Sequence, residues 1–554
     1  MKRWLFYTIL ILAVTNAAAQ NYVVNGSFES VTNAALPDGW GNGHWGIKYA
    51  DEIAGIERLR RDFAVDDTVM FNGKRSFRLS NNPVGRQQSL YSAWIKFPAF
   101  LYVPQGWCLS AWVKADRPAT VSMEVVDRNN KRLVGQDFAV ANEFRQIVLQ
   151  IKALNQSPLA IRFRGPPGVT VWIDAVQLEK GMVPTSWQAA AGDAALPSQI
   201  PARSFNPAAI TGAVVPDGPV ALVDRRLYVA GQPFFPYAFN LHFIHDQSSM
   251  EYGRKHGFNT LICALRSLAD ADAAFANARK AGLRLIPYLA CPDQEAFKIV
   301  AAFRRHPALL FWYVIDEPKE PLNRAVVERV TRIRELDPNH PLMVNYTLET
   351  IVAFTGRIAT LPGDIISCDV YPVANLEWPG TVLDPAAALA RMQSDKPAMF
   401  YLQMAGNAFM NYREPTPAEF EVMVYTSIIA DAQGLFLFVN VPWNPQLFGT
   451  AGKIGMELQR LAPILASRES VPAINSSNRA VRYLIRRYQG QYYLLAVNTT
   501  PQPTECEFII SGIPDGQAEL LGCSQFLPVT SGRVKVRFAG YQRQLLRLSS
   551  GVRP

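Results

Sequence analysis

The rhythm of hydrophobic and polar positions changes three times along the 554-residue chain. From Asn21 to about Trp187 short alternating runs ("SFRLSN", "CLSAWVKAD", "TVSMEVVD", "RQIVLQIKA", "LAIRFRG", "TVWIDAVQLEKG") are separated by Gly, Pro, Asn and Asp. A period of two is that of a strand with one buried face, and many short strands at this spacing predict an all-β sandwich over residues 21–188. The stretch 189–213 is rich in Ala, Pro, Ser and Gly and has no apolar period, so it is expected to be a linker.

From 214 to 468 nearly continuous apolar runs alternate with amphipathic ones. The apolar runs are "FFPYAFNL", "FNTLICAL", "LRLIPYL", "LLFWYVID", "PLMVNYT", "DIISCDVY", "AMFYLQMA" and "GLFLFVNV". Between them lie segments such as "DADAAFANARKAG", "DQEAFKIVAAFRRH" and "NRAVVERVTRIREL". Strands apolar on both faces belong to a parallel sheet covered by helices, and eight such units predict a (β/α)8 TIM barrel. Alternation returns in 469–554 ("AVRYLIRRY", "YYLLAVNTT", "CEFIISG", "RVKVRFAG"), which predicts a small antiparallel C-terminal β-sandwich.

Lys2 and Arg3 ahead of an apolar run that ends in "NAAAQ" have the form of a secretory signal over residues 1–20. A secreted or periplasmic protein is therefore expected, and no later apolar stretch is long enough for a membrane anchor. The formal charge of +9 is scattered, with short groups such as "ERLRRDF", and solvated faces rather than nucleic-acid contact are expected of them. Six cysteines at 108, 263, 291, 368, 506 and 523 show no metal-site spacing. Buried thiols are one reading of them; bridges between Cys506 and Cys523 or Cys263 and Cys291 are another. "NGS" at Asn25 and "NTT" at Asn498 are formal glycosylation sequons.

The candidate chemistry lies at "FWYVIDEPKE", where the fourth barrel strand runs into Asp316 and Glu317. Catalytic groups of such barrels sit at the C-terminal ends of the strands, and burial can raise one carboxyl of a pair while the other stays charged. The same rim should carry His242 and His245, Arg266, Asn345 and Tyr346, Asp369 and Tyr371, Tyr401, Gln403, and Trp443 with Asn444. A sugar site needs this mixture of hydroxyl-binding groups and flat aromatic walls. In the sandwich, Trp40, Trp45, Tyr91 and Trp94 are candidates for sugar stacking, with core packing the competing role.

"NYVVNGSFES", "LPDGW" and "VWIDAVQLEKGMVPTSW" resemble the two ends of jelly-roll carbohydrate-binding modules of the family 4, 9 and 22 type. That resemblance implies a structural calcium near Glu29 and Asp174, hard oxygen ligands of the kind calcium takes. Residues 215 to 550 resemble glycoside hydrolase barrels of clan A followed by a β-sandwich. It implies Glu317 as general acid, Trp443 as the floor of the sugar site, and no cofactor for catalysis. Two departures stand out: Asp316 replaces the customary Asn, and Gln403 stands where the clan places its nucleophilic Glu. An amide cannot form a glycosyl ester, so a second carboxylate, Asp369 or else Glu414, or the substrate itself must supply that function. The adjacent Asp-Glu pair is also similar to that of the β-N-acetylhexosaminidases of families 20 and 123, whose substrates' 2-acetamido oxygen is the nucleophile. By that likeness Asp316 orients the acetamido group and Tyr371 or Tyr401 steadies the intermediate.

The expectation is a secreted glycoside hydrolase acting on a polysaccharide or glycan, with a module that raises its concentration at polymer surfaces. The rivals are a carbohydrate-binding protein on a barrel that has lost hydrolysis, and a barrel enzyme cleaving a non-sugar bond.

Overall fold

Eight strands close into a parallel barrel in the order of the chain. They are β1 (Tyr237–Asn240), β2 (Thr260–Leu265), β3 (Arg284–Leu289), β4 (Trp312–Asp316), β5 (Leu342–Tyr346), β6 (Ile365–Val370), β7 (Ala398–Gln403) and β8 (Leu435–Phe438), with β8 returning to β1. The structure is a computed structural model. It describes residues 20–32, 36–44, 53–80, 89–95, 106–154, 158–195, 205, 216–240, 247–373, 386–410, 412–438, 442–523 and 525–548. The expected signal segment, His242, His245 and Trp45 lie outside the described residues.

The helix Leu268–Ala281 shows how the amphipathic runs cover the barrel. Ala271, Ala274, Phe275 and Ala278 recur at helical spacing and are buried. Ser267 caps its start by accepting from the Asp270 N–H, and Gly282 ends it at φ 68°, a left-handed conformation that glycine adopts without a Cβ penalty. Below the barrel, a three-stranded hairpin sheet (Val220–Val223, Arg226–Val229, Gln232–Pro233) closes the floor. Its Leu227 and Val229 share one apolar cluster with the inward Ile262, Ile286, Met343 and Phe436. Pattern reading did not foresee this plug.

The N-terminal region is a sandwich of two five-stranded sheets of antiparallel pairs around residues such as Phe77, Leu109, Met123 and Ile161. It also holds a helix, Ile53–Asp62, built from the "ERLRRDF" group that was expected to be a solvated face. Glu57, Arg58 and Arg61 are solvent-exposed, whereas Arg60 reaches across to the barrel, donating from Nε to the Trp443 carbonyl (2.9 Å) and from Nη2 to that of Pro442 (2.7 Å). Phe205, from the expected linker, is buried in the barrel core with its ring stacked 6.2 Å from Tyr425. The C-terminal region forms one continuous eight-stranded antiparallel sheet rather than two separate ones, curled over a single core that includes Leu494, Phe508, Val536 and Leu546. All six cysteines are free, so neither expected bridge forms.

Candidate active site

Asp316 and Glu317 end β4 at the mouth of the barrel, and a bulge decides where they point. Side chains three apart on a regular strand face opposite ways, yet Tyr313 and Asp316 meet, the phenol donating to Asp316 Oδ1 at 2.5 Å. The register against β5 slips between Tyr313 and Ile315, which turns Asp316 onto the inward face that Tyr313 already occupies. Glu317 follows at φ 42°, a sparsely populated conformation for a non-glycine residue. Its N–H donates to the Asn345 carbonyl (2.9 Å), which holds that turn in place. Backbone held in such a conformation by surrounding contacts is a mark of functional sites.

From Asp316 a chain of hydrogen bonds crosses to β6. Asn345 is 1% exposed, and its Nδ2 donates both to Asp316 Oδ1 (3.0 Å) and to Asp369 Oδ1 (2.8 Å). Tyr371 closes the far end by donating to Asp369 Oδ2 at 2.7 Å. Its ring stacks 5.1 Å from that of Phe438. Below, Tyr401 is buried with its ring 6.2 Å from that of Tyr313. One amide thus ties two carboxylates together, and each has a phenol of its own.

The surroundings act on two of the three acids, Glu317 and Asp369. Partial desolvation lifts the Glu317 carboxyl above its ordinary range, helped by the charges of Asp316 and Glu349. Asp369 is pushed up to about 7, chiefly by burial, against the lowering effect of the Tyr371 and Asn345 hydrogen bonds. Near neutral pH a proton can therefore reside on Asp369, and Glu317 holds its own proton more tightly than an ordinary carboxyl does, a direction that suits an acid catalyst. Beside Asp316 a groove of about 480 Å³ runs past Tyr288, Cys291 and Asp293 to Arg329, within the range of small-ligand sites. Arg329 is committed to its wall, donating to the carbonyls of Leu289 (2.7 Å), Cys291 (3.2 Å) and Val314 (3.2 Å).

No protein-family model and no curated protein sequence matches the chain. Solved structures overlap it at low similarity. An α-amylase from Geobacillus thermoleovorans complexed with acarbose has a TM-score of 0.43 at 8% identity, over 57% of this chain and 99% of that one. A glycoside hydrolase family 5 protein from Bacteroides vulgatus has a TM-score of 0.42 at 12% identity, over 60% and 94%. The CBM22-1–GH10 modules of Clostridium thermocellum xylanase 10B, complexed with xylohexaose, have a TM-score of 0.28 at 13% identity, over 76% and 91%. Overlaps this slight leave the chemistry to be read from the chain's own side chains.

Several expected contacts lie elsewhere. Trp443 is 2% exposed and belongs to the core of the N-terminal sandwich, its ring 5.1 Å from that of Phe63, so it does not floor a sugar site. Glu414 is buried as well and accepts from the Trp443 N–H (2.7 Å) and the Asn444 N–H (2.8 Å), which removes it as a second catalytic carboxylate. Gln403 is fully buried: its Oε1 accepts from the Val373 N–H (2.8 Å), and its Nε2 donates to the carbonyls of Val373 (3.0 Å) and Arg413 (2.8 Å). It binds loop backbone, not substrate. Asn345 is likewise sealed beneath the carboxylates it bridges. Arg266 is exposed near the mouth. In the sandwich, Trp40 is a core residue, and Tyr91 packs with Trp94, Val126 and Ala160.

The expected calcium does not fit. Asp174 Oδ2 already accepts from the N–H groups of Phe71 and Asn72, both at 2.8 Å, and its Oδ1 from that of Ala175 (2.6 Å). Glu29 Oε1 takes those of Lys74 (2.6 Å) and Arg75 (3.0 Å). These carboxylates hold the 71–75 turn through backbone donors that would repel a cation. Among the described residues no three His, Cys, Asp or Glu side chains stand together as a metal site. Sequence reading missed Tyr313 for a plain reason: strand alternation sets it opposite Asp316, and nothing in the letters marks the bulge.

Proposed function

We propose that the protein hydrolyses glycosidic bonds of a glycan carrying 2-acetamido sugars, with Glu317 as general acid and base. The observation that carries this reading is the Asn345 amide shared by Asp316 and Asp369 beside a Glu317 whose affinity for its proton is raised. Glu317 gives its proton to the glycosidic oxygen as the bond to the anomeric carbon breaks. The substrate's acetamido oxygen attacks that carbon and forms an oxazolinium ion. Asp316 accepts the acetamido N–H, and the phenols that line the mouth steady the positive charge. Water then opens the ring and returns a proton to Glu317, so the enzyme ends as it began.

A substrate nucleophile suits a barrel whose β7 end offers only Gln403, and whose Asp369 has both oxygens engaged and a proton affinity near neutrality. A carboxylate half-protonated at pH 7 is a poor attacking group. Export by the N-terminal segment belongs to the same proposal, since polymeric and surface glycans lie outside the cytoplasm. The test is release of reducing ends from a panel of neutral polysaccharides and N-acetylated glycans, with Glu317→Gln beside the parent. Turnover limited to acetamido sugars and lost in the variant is expected. Turnover on neutral glycans would instead make Asp369 the nucleophile, and glycan binding without any turnover would leave a sugar-binding protein.

A further inference from the structure

A second concentration of charge lies at the opposite end of the barrel, away from the acids. Three guanidiniums converge there on one carboxylate, Asp431, just past the helix Pro417–Ile429. Arg226, from the floor hairpin, donates to Asp431 Oδ1 at 2.8 Å. Arg486, from the C-terminal sheet, approaches the same oxygen at 3.3 Å, and Arg225 approaches Oδ2 at 3.4 Å. Arg226 is 7% exposed, yet its Nε and Nη1 are buried with no hydrogen-bond partner, and so are the Nε atoms of Arg225 and Arg486. Arg226, Asp431, Gln433 and Arg486 line a cavity of about 20 Å³ between the hairpin, the barrel helices and the C-terminal sheet.

Charge and size together select an occupant. Arg226 and Arg486 line the cavity with Asp431, and Arg225 approaches Asp431 from outside that lining. The C termini of the helices Pro417–Ile429 and Pro445–Ala466 both reach this cavity, through Ile428 and Ala466, and each supplies about half a negative charge. With Arg225 counted, the balance is close to one uncompensated positive charge, and although Asp431 and Arg225 are about a third exposed, the unpartnered Nε and Nη1 atoms of Arg226 and the Nε of Arg486 are buried, where missing partners are costly. The cavity has room for one water-sized particle and none for a phosphate or sulfate. We propose that it binds a single small monovalent anion, of the chloride type, which ties the barrel floor to the C-terminal sheet. A water molecule could accept two of these hydrogen bonds but would leave the charge unbalanced.

The occupant stabilises the fold without touching the catalytic mouth, so the reading is independent of the proposed hydrolysis. The experiment is thermal unfolding of the full chain in sodium chloride and in sodium gluconate at matched ionic strength, for the parent, Arg226→Gln and Arg486→Gln. The parent should show a saturable, chloride-specific rise in Tm of about a few degrees. The rise should vanish in Arg226→Gln and shrink in Arg486→Gln. Identical melting in the two salts, or a chloride effect that survives both substitutions, overturns the proposal. Should Arg226→Gln fail to fold, bromide-soaked crystals of the parent decide: an anomalous peak between Arg226 and Arg486 supports the site, and a cavity without one refutes it.

Discussion

The C-terminal ends of β4 and β7 are equivalent places on one barrel, and the chain uses them in opposite ways. β4 ends on Asp316 and Glu317, which are exposed at the mouth, with the backbone of Glu317 held at φ 42°. β7 ends on Gln403, wholly buried and spent on the backbone of the loops that begin at Val373 and Arg413. One end presents chemistry; the other builds the frame around it. A position on the rim therefore carries no chemistry by itself, and what decides is whether neighbouring backbone has already claimed the side chain's polar atoms.

Two substitutions press this contrast hardest. Glu317→Gln keeps the shape and removes the transferable proton, so kcat should fall by roughly 10²- to 10⁴-fold while sugar affinity holds, as steady-state kinetics and calorimetric titration would show. Undiminished turnover would move the acid elsewhere. Gln403→Glu should cost stability instead: the new oxygen faces the carbonyls of Val373, Ala405 and Arg413 where Nε2 now donates. An unpaired buried carboxylate of this kind costs roughly 3–5 kcal/mol, read from chemical denaturation. No turnover of neutral glycans should appear. A glycosyl ester trapped on the new carboxylate would abolish the distinction between the two strand ends.

Much of this was legible in the letters, and the rest was hidden for physical reasons. Continuous apolar runs with amphipathic spacers reveal the barrel because burial on both faces leaves no other pattern, and two acids after such a run must lie at its rim. Trp443 misled because an aromatic ring after β8 looks the same whether a sugar or another domain covers it. Arg60 misled because a helix with several arginines is usually solvated, and only the fold brings one to the carbonyls of Pro442 and Trp443. The bulge that aims Asp316 and the convergence on Asp431 depend on register and on residues far apart in sequence. A single sequence states neither.

Asp369 sharpens the comparison through pH. Its folded-state affinity is raised to about 7 from an ordinary value of 3.8. The folded protein thus holds this proton where the unfolded chain has lost it, and the stabilisation is complete below about pH 4 and disappears as pH rises through 7. Asp369→Asn removes that titration while the Tyr371 hydroxyl, which can donate or accept, keeps a partner. Between pH 5 and 8 the Tm of the variant should fall less than that of the parent, whereas parallel curves would show that Asp369 titrates as an ordinary carboxyl. The basic limb of the pH–rate profile should shift as well if Asp316 and Asp369 act as one unit through Asn345.

The smallest expected effect concerns how the β7 and β8 ends are framed. Trp443 sits in the sandwich core, Arg60 holds its carbonyl, and Glu414 holds its N–H (2.7 Å). Next to Glu414, the Arg413 carbonyl is bound by Gln403, which also binds Val373, two residues beyond the Tyr371 that secures Asp369. The N-terminal sandwich is thereby joined by hydrogen bonds to the frame of the barrel mouth. Arg60→Ala should cost about 1.5–3 kcal/mol at that contact, since hydrogen bonds involving a charged group are worth roughly that much. Activity should drop only a few-fold, and equally on a small soluble glycan and on an insoluble one, with faster hydrogen exchange around residues 442–446. A loss confined to the insoluble substrate would mean that the sandwich works as a tether after all, and that the β7 and β8 ends stand without it.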